Sequence, residues 1–385
     1  MERYGSILFC WGKKVDLPTS STSTSAASQR ACATLTAAVW FAALLGFTAV
    51  SAGAQCQGPG APTTTQTECL TVFPNAASPA SIWYVATTGS DSNAGTSAAP
   101  FLTIGHAAGV VNPGDTVIVE SGVYQEALNL TRGGTPGAYV TFESQTPLGA
   151  VLDGNRNALA EAVEFAASYI RFQGFEVRNY GAVVGGGDAF SNYHGGQFID
   201  IVQNYIHDIG RVCTDTENGL VGIFLEAPNV TIEQNLIQGI GRYAPGENGC
   251  NPSTLYYKNH DHGVYVDVGS NNVTIKNNIF YRIEHGWGVQ VYPNGVDSLS
   301  IVNNTFMDYY TYNTGNIILA SSTALTNLLI KNNVSYSPLT SFIYNYSTTT
   351  VTGIVANNLI FNGTVFDTMP SGGVSVTGNI LSTDP

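Results

Sequence analysis

The side chains able to do chemistry are unevenly spread along this chain. Four of its six histidines, His194, His260, His262 and His285, gather around a few short segments. Asn259-His-Asp-His-Gly263 runs into Val264-Tyr-Val-Asp267, and Glu284-His-Gly286 runs through Trp287 into Gly288-Val-Gln-Val-Tyr292. These segments align without gaps with Gly222-Ile-Phe-Leu-Glu226, and then with a blander fourth, Asn316-Ile-Ile-Leu-Ala320. Period-two alternation turns Ile223, Val264 and Val289 inward, together with Leu225, Val266 and Val291. The outward rows are then Phe224–Tyr265–Gln290 and Glu226–Asp267–Tyr292. Neighbouring strands lie about 4.8 Å apart, so Glu226 and Asp267 would repel unless a cation or a shared proton stood between them. His260 and His285 hold the same offset before a glycine, with Asp261 and His262 beside them. Histidine titrates near neutrality, so its concentration on one flank of a weakly charged chain points to a site. Phe224, Tyr265, Tyr292 and Trp287 offer flat faces for sugar rings.

The elements that hold these residues repeat. Val273-Thr-Ile-Lys-Asn-Asn278 recurs as Leu299-Ser-Ile-Val-Asn-Asn304, Leu328-Leu-Ile-Lys-Asn-Asn333 and Gly353-Ile-Val-Ala-Asn-Asn358, with looser copies ending at Asn204, Asn235 and Asn379. β-Branched runs at a period mostly in the twenties and thirties, without helical periodicity, mark a stacked β architecture. No copy can bury its apolar face alone, whereas stacked copies bury one continuous column. The repeated Asn is expected at the turn after a strand, in the left-handed conformation, its side chain bonding the next Asn in the stack. The expected fold is all-β: a right-handed parallel β-helix, with coils over 139–385. The long loops 210–221 and 241–261 precede two of the aligned strands, and long loops on a rigid scaffold collect binding residues.

From Trp83 the chain reads WYVATTGSDSNAGTSAAPFLTIGHAAGVVNPGDTVIVESGVYQEAL. Tyr84, Gly89-Ser90-Asp91, the helix-like stretch 104–110, Pro113-Gly-Asp-Thr116 and Gly122-Val-Tyr124 resemble the N-terminal cap of many secreted right-handed β-helix proteins. The chain is similar in this respect to polysaccharide-lyase-like members of that class, which implies a cap over 83–138 with a short helix on the first coil. The class also includes epimerases and glycosidases, so function must come from the site.

Upstream, 31–50 is an uncharged, mostly apolar run, followed by Ala52-Gly-Ala54. This reads as a secretory signal over 1–54 with cleavage after Ala54; the alternative is an uncleaved membrane anchor. Residues 55–82 read as a Thr/Pro/Ala-rich linker. The full chain carries 14 Lys+Arg and 27 Asp+Glu, a formal net charge of −13. Export would remove four of the basic residues and two of the acidic ones, leaving −15. That charge argues against nucleic acid or an anionic membrane surface as partner. The expected location is extracytoplasmic, with a membrane contact only if 31–50 is retained. Cys56, Cys69, Cys213 and Cys250 would remain, and an even count in an exported chain leads us to expect Cys56–Cys69 and Cys213–Cys250 disulfides.

An open groove on such a scaffold suits a polymer, so the expected partner is an extracellular polysaccharide. The first expectation is β-elimination or epimerisation at a uronic acid, which needs the carboxylate neutralised and a base near the working pH. Related β-helix lyases use calcium held by carboxylates and a lysine or arginine base. By that resemblance Glu226 and Asp267 would hold calcium, Lys258 would be the base, and His262 or Tyr265 the proton donor, with His285 and Asp261 in the catalytic set. Phe224, Gln290, Tyr292, Trp287, His260 and His194 would contact substrate. The alternatives are hydrolysis by a carboxylate pair drawn from Asp261, Glu226 and Asp267, and a non-catalytic glycan-binding or surface protein. The pectin-hydrolase members usually show a Gly-His-Gly turn and an Asp-Asp pair, and this chain has no Asp-Asp. A zinc site from His260, His262 and His285 is a further idea, although their spacing matches no known zinc pattern.

Overall fold

The computed structural model describes residues 80–181, 187–254, 259–283, 285–307, 315–336, 338 and 340–383. The expected signal and linker lie outside these residues apart from 80–82, as do Cys56, Cys69, Lys258 and Glu284.

Each coil passes through three strands in a fixed order. One coil reads Leu220–Leu225, Val230–Glu233 and Leu236–Ile240, and the next opens at Val264–Val266. Strands in the same place on successive coils pair in parallel, giving sheets of nine, eleven and ten strands. The chain is therefore an all-β parallel β-helix, as its repeats predict. Alternation does the sorting. In Val230–Glu233, Val273–Lys276 and Leu299–Val302 the first and third residues are buried and the others partly exposed. The inward residues of these strands stand in register, Val230 on Val273 on Leu299 and Ile232 on Ile275 on Ile301. Phenylalanines stack in the same way, Phe280 on Phe306 with centroids 4.7 Å apart and Phe165 on Phe190 at 5.9 Å. No single coil could bury these faces, and the stack buries all of them.

Between the eleven- and ten-stranded sheets the chain turns at the repeated asparagines. Asn235 Nδ2 donates to Asn278 Oδ1 (3.0 Å), Asn278 to Asn304 (3.0 Å), Asn304 to Asn333 (3.1 Å) and Asn333 to Asn358 (2.9 Å). The same Oδ1 atoms accept the backbone N–H of the preceding ladder residue, as at Asn235 N (2.9 Å). One expectation is corrected here. The left-handed residue is the one before each ladder asparagine: Gln234, Asn277, Asn303, Asn332 and Asn357 have φ of 56–58°. The turn needs a residue that tolerates positive φ, and the ladder needs an amide beside it, so adjacent positions divide the work.

At the first end, Ile82–Val85 pairs with Thr116–Val119, which pairs with Val140–Ser144, so one sheet runs without a break into the coils. The helix Ile104–Val110 buries Ile104, Ala107 and Ala108 there. Its first turn is held by Thr103, whose hydroxyl accepts from His106 N (3.1 Å), and by Glu126, whose carboxyl accepts from Ile104 N and Gly105 N.

Candidate functional site

The nine-stranded sheet carries the candidate site. Its outward residues form a column set by register: Glu164 on Ser191, Ser191 on Phe224, Phe224 on Tyr265, Tyr265 on Gln290, Gln290 on Ile318 and Ile318 on Tyr344. Six strand spacings make this column roughly 29 Å long. Asp188 pairs with Val221, and carrying the register back three residues along each strand gives a second column, Glu161, Asp188, Val221, His262 and Trp287. Both columns line an open cavity of about 960 Å³. Its rim comes from the loops ahead of the strands, through Glu217, Asn218, Asn259 and His260. The loops around 210–221 and 241–261 are tied by the expected disulfide, Cys213–Cys250.

One end of the cavity is acidic. The Ser191 hydroxyl lies within hydrogen-bonding reach of both Glu161 and Glu164. It has one proton to donate, so the second contact needs a proton on a carboxyl. Burial and the charge of Glu164 push Glu161 above the usual carboxylate range. Burial, with Glu161 and Glu164 nearby, pushes Asp188 well above it. His194 sits on the rim, exposed, with Nδ1 3.2 Å from Glu164.

The middle is a place of donors. His262 is buried, and its Nδ1 accepts the backbone N–H of Trp287 at 3.1 Å. Burial pulls its pKa down to about 3, so the ring is neutral. A neutral ring that accepts at Nδ1 carries its proton on Nε2. Tyr265 packs beside it, ring centroids 5.5 Å apart, and burial with the charge of Asp267 raises its phenol. The Gln290 side chain bonds that phenol. Trp287 stacks on His262 at 5.8 Å and lies nearly parallel to Tyr344 at 6.3 Å. Ile318 and Ala320 complete an apolar wall with Trp287, and Tyr346 extends it.

The structure brings together Phe224, Tyr265, Gln290, Tyr292, Trp287, His260, His262 and His194 around this cavity. It sets two residues of the expected catalytic group apart. Asp261 is fully buried and faces Arg242, itself fully buried, at 3.1 Å. Its carboxyl also accepts Leu220 N (3.1 Å) and Arg242 N (2.9 Å). Burial raises this carboxyl to about 7 against the pull of Arg242, and a group so enclosed holds the loop and does not line the cavity. His285 is likewise buried and absent from the lining; burial and the nearby Arg242 lower its pKa to about 4. Glu226 and Asp267 stand in register beside Tyr292, but only Tyr292 reaches the cavity. Both carboxyls are raised by burial, and Glu226 further by the charge of Asp267. Calcium takes six to eight oxygens. Among the described residues no three of His, Cys, Asp and Glu gather to hold a metal.

Glu161, Glu164, Asp188 and Ser191 escaped the sequence reading, as did Tyr344 and Tyr346. The signal was present for the first four. Ala160-Glu-Ala-Val-Glu164 and Gly187-Asp-Ala-Phe-Ser191 align with Leu220-Val-Gly-Ile-Phe224 from two coils and one coil ahead of it.

Comparison with known proteins agrees with the fold. Residues 83–221 match the model of the Pel9A-like, right handed beta helix region. The structure is similar to pectate lyase Pel9A, with TM-score 0.54 and 17% identity over 80% of this chain and 79% of that one. It is also similar to an alginate lyase from Paenibacillus sp. str. FPU-7, with TM-score 0.50 and 16% identity over 72% of this chain and 92% of that one. Among curated proteins, the uncharacterized protein YwoF of Bacillus subtilis (strain 168) is 38% identical over 78 residues. That match spans 20% of this chain and 17% of YwoF. At these identities the solved structures establish the shared fold, and function rests on the site.

Proposed function

We propose that this protein is a carbohydrate-active enzyme that takes an extracellular polysaccharide along the groove and cleaves it by β-elimination at a uronic acid. The observation that carries the reading is the Tyr265 phenol, held protonated in the middle of a long open groove with aromatic walls. Elimination removes the proton on the carbon next to the carboxylate. The electron pair left behind forms a carbon–carbon double bond and expels the glycosidic oxygen, which must take up a proton. In this reading Tyr265 gives that proton, and Lys258, from the loop ahead of His260, removes the first one. A pectate lyase and an alginate lyase share the fold, and the assignment of elimination to this chain rests on the groove.

A second reading, hydrolysis of the glycosidic bond, is favoured by Glu161 and Glu164. Glu161, raised by burial and by the charge of Glu164, stands beside a second carboxyl, and glycoside hydrolysis uses such a pair. One experiment separates the two. The purified protein is given a panel of acidic and neutral polysaccharides, with added calcium and with chelator. Unsaturated product, seen by its ultraviolet absorbance and lost in Lys258→Ala and Tyr265→Phe, is the expected result. Reducing ends without that absorbance, lost in Glu161→Gln, would transfer the assignment to hydrolysis. No release from any polymer would leave a glycan-binding protein.

A further inference from the structure

The elimination reading leaves a question that the site itself answers. A uronic acid brings a carboxylate into a protein of net charge −13, past an acidic cluster, and every cation lining the described groove would have to be a histidine. His262 is held neutral, so it contributes no charge.

What His262 and Trp287 do present is a pair of N–H donors at the groove wall, and among the described residues that of Trp287 has no acceptor. The indole nitrogen can only donate. Trp287 is 5% exposed at the groove wall, and its Nε1 meets no hydrogen-bond acceptor among the described residues. A buried donor in that condition is rare and asks for an explanation, because its desolvation is uncompensated. The one acceptor on the His262 ring, Nδ1, is already taken by the backbone N–H of Trp287 itself. That bond fixes the tautomer, so the ring's other nitrogen, Nε2, carries the proton and can donate. The rings stack at 24° between planes, on adjacent coils, and both line the same cavity. A neutral hydroxyl both donates and accepts, and would leave its own proton without an acceptor between these two groups. A carboxylate only accepts.

We propose that His262 Nε2–H and Trp287 Nε1–H form a charge-free seat for the carboxylate of a uronic acid, beside Tyr265. The seat rests on the elimination reading for its place in a reaction, but its ligand chemistry stands on the two donors. It gives an anion a binding place without a metal or a basic side chain. It also gives the negative charge that develops on the carboxylate oxygens during proton removal two fixed dipoles at a buried part of the groove wall.

The test measures binding apart from turnover. In a Lys258→Ala background, which keeps the sugar intact, the full chain is titrated calorimetrically with oligosaccharides of polygalacturonate and of alginate. Each is paired with its carboxyl-reduced form. At least one acidic oligosaccharide should bind about tenfold or more tightly than its reduced partner. Trp287→Phe keeps the ring and deletes the N–H. His262→Asn keeps an acceptor for the Trp287 backbone and removes the ring Nε2–H, its own amide N–H groups sitting nearer the backbone. Each should weaken the acidic ligand about tenfold and change the reduced one little. Circular dichroism and melting confirm that the variants are folded. Equal affinity for acidic and reduced forms, unchanged affinity in folded variants, or no binding of any acidic oligosaccharide would overturn the seat. Carboxylate discrimination without unsaturated product from the unsubstituted protein would sink the elimination reading and keep the seat. Unsaturated product with unchanged variant affinities would do the reverse.

Discussion

His262 shows how far the meaning of one side chain depends on which of its atoms is already engaged. As a letter in the sequence it could be a base, an acid or a ligand. With Nδ1 bonded and the ring buried it is a neutral donor. The same burial makes it a source of acid sensitivity. Its folded value, about 3, lies below the ordinary 6.5. The unfolded chain therefore takes up a proton that the folded chain refuses, and stability present above about 6.5 is lost as pH falls towards 3, by up to about 1.4 kcal/mol per pH unit. His285, lowered to about 4, acts in the same direction. The raised carboxyls Glu161, Asp188, Glu226 and Asp267 act oppositely, their contribution being lost as pH rises through their folded values. Urea unfolding at a series of pH values should therefore show a steeper loss between pH 6.5 and 3 in the unsubstituted protein than in His262→Asn, which has no group to titrate there. Parallel curves would mean that His262 is accessible to protons in the folded state. Residue by residue, the sequence revealed what alternation governs: Phe224, Tyr265 and Gln290 fall on one column because strands repeat every two residues. It did not reveal what a loop decides. The partner of Asp261 is Arg242, in a segment with no period, so nothing in the letters distinguished a buried ion pair from a catalytic acid.

The asparagine turn is the clearest case at the level of elements. Its repetition was legible, and so was the fold it implies, because only a stack places one amide above the last. The division of labour within each Asn-Asn pair was not, since both letters are the same and only backbone geometry separates them. A fully buried rung should matter more than a half-buried one. Asn278 accepts from Asn235 N and Nδ2 and donates to Ile232 O (2.9 Å) and Asn304 Oδ1. Asn278→Ala strands buried donors and acceptors on two neighbouring coils and should destabilise the protein by about 2–4 kcal/mol. Asn379 is half-buried and lies beyond Asn358. Water can replace its bonds, and Asn379→Ala should change stability by less than about 1 kcal/mol. Thermal melts of the two variants side by side give the comparison, and equal losses would show that a fully buried rung contributes no more than a half-buried one.

At the scale of the whole molecule, function depends on irregular loops held by a regular scaffold. The coils supply columns of side chains at fixed spacing. The acidic and aromatic ends of the groove differ only because successive coils place different residues at the same register position. The rim has no such regularity and is fastened in other ways. Cys213–Cys250 links its two long loops, Arg211 bridges to Glu247 at 2.7 Å and lies over Tyr243 at 4.2 Å, and Arg242 reaches back to the carbonyls of Thr216 and Asn218. These ties hold Glu217, Asn218, Asn259 and His260 at the groove edge, while the parallel ladders that define the coils lie beneath them and share none of these bonds. Reduction of Cys213–Cys250, which closes a separation of 37 residues, should cost about 3–4 kcal/mol through the loosened unfolded chain and loops. The β-sheet circular dichroism should persist at temperatures where the oxidised protein is folded, while glycan affinity falls. If sheet signal and affinity were lost together, the loops would be part of the cooperative unit of the coils. If affinity survived reduction unchanged, the rim would play no part in the groove, and recognition would lie on the strand columns alone.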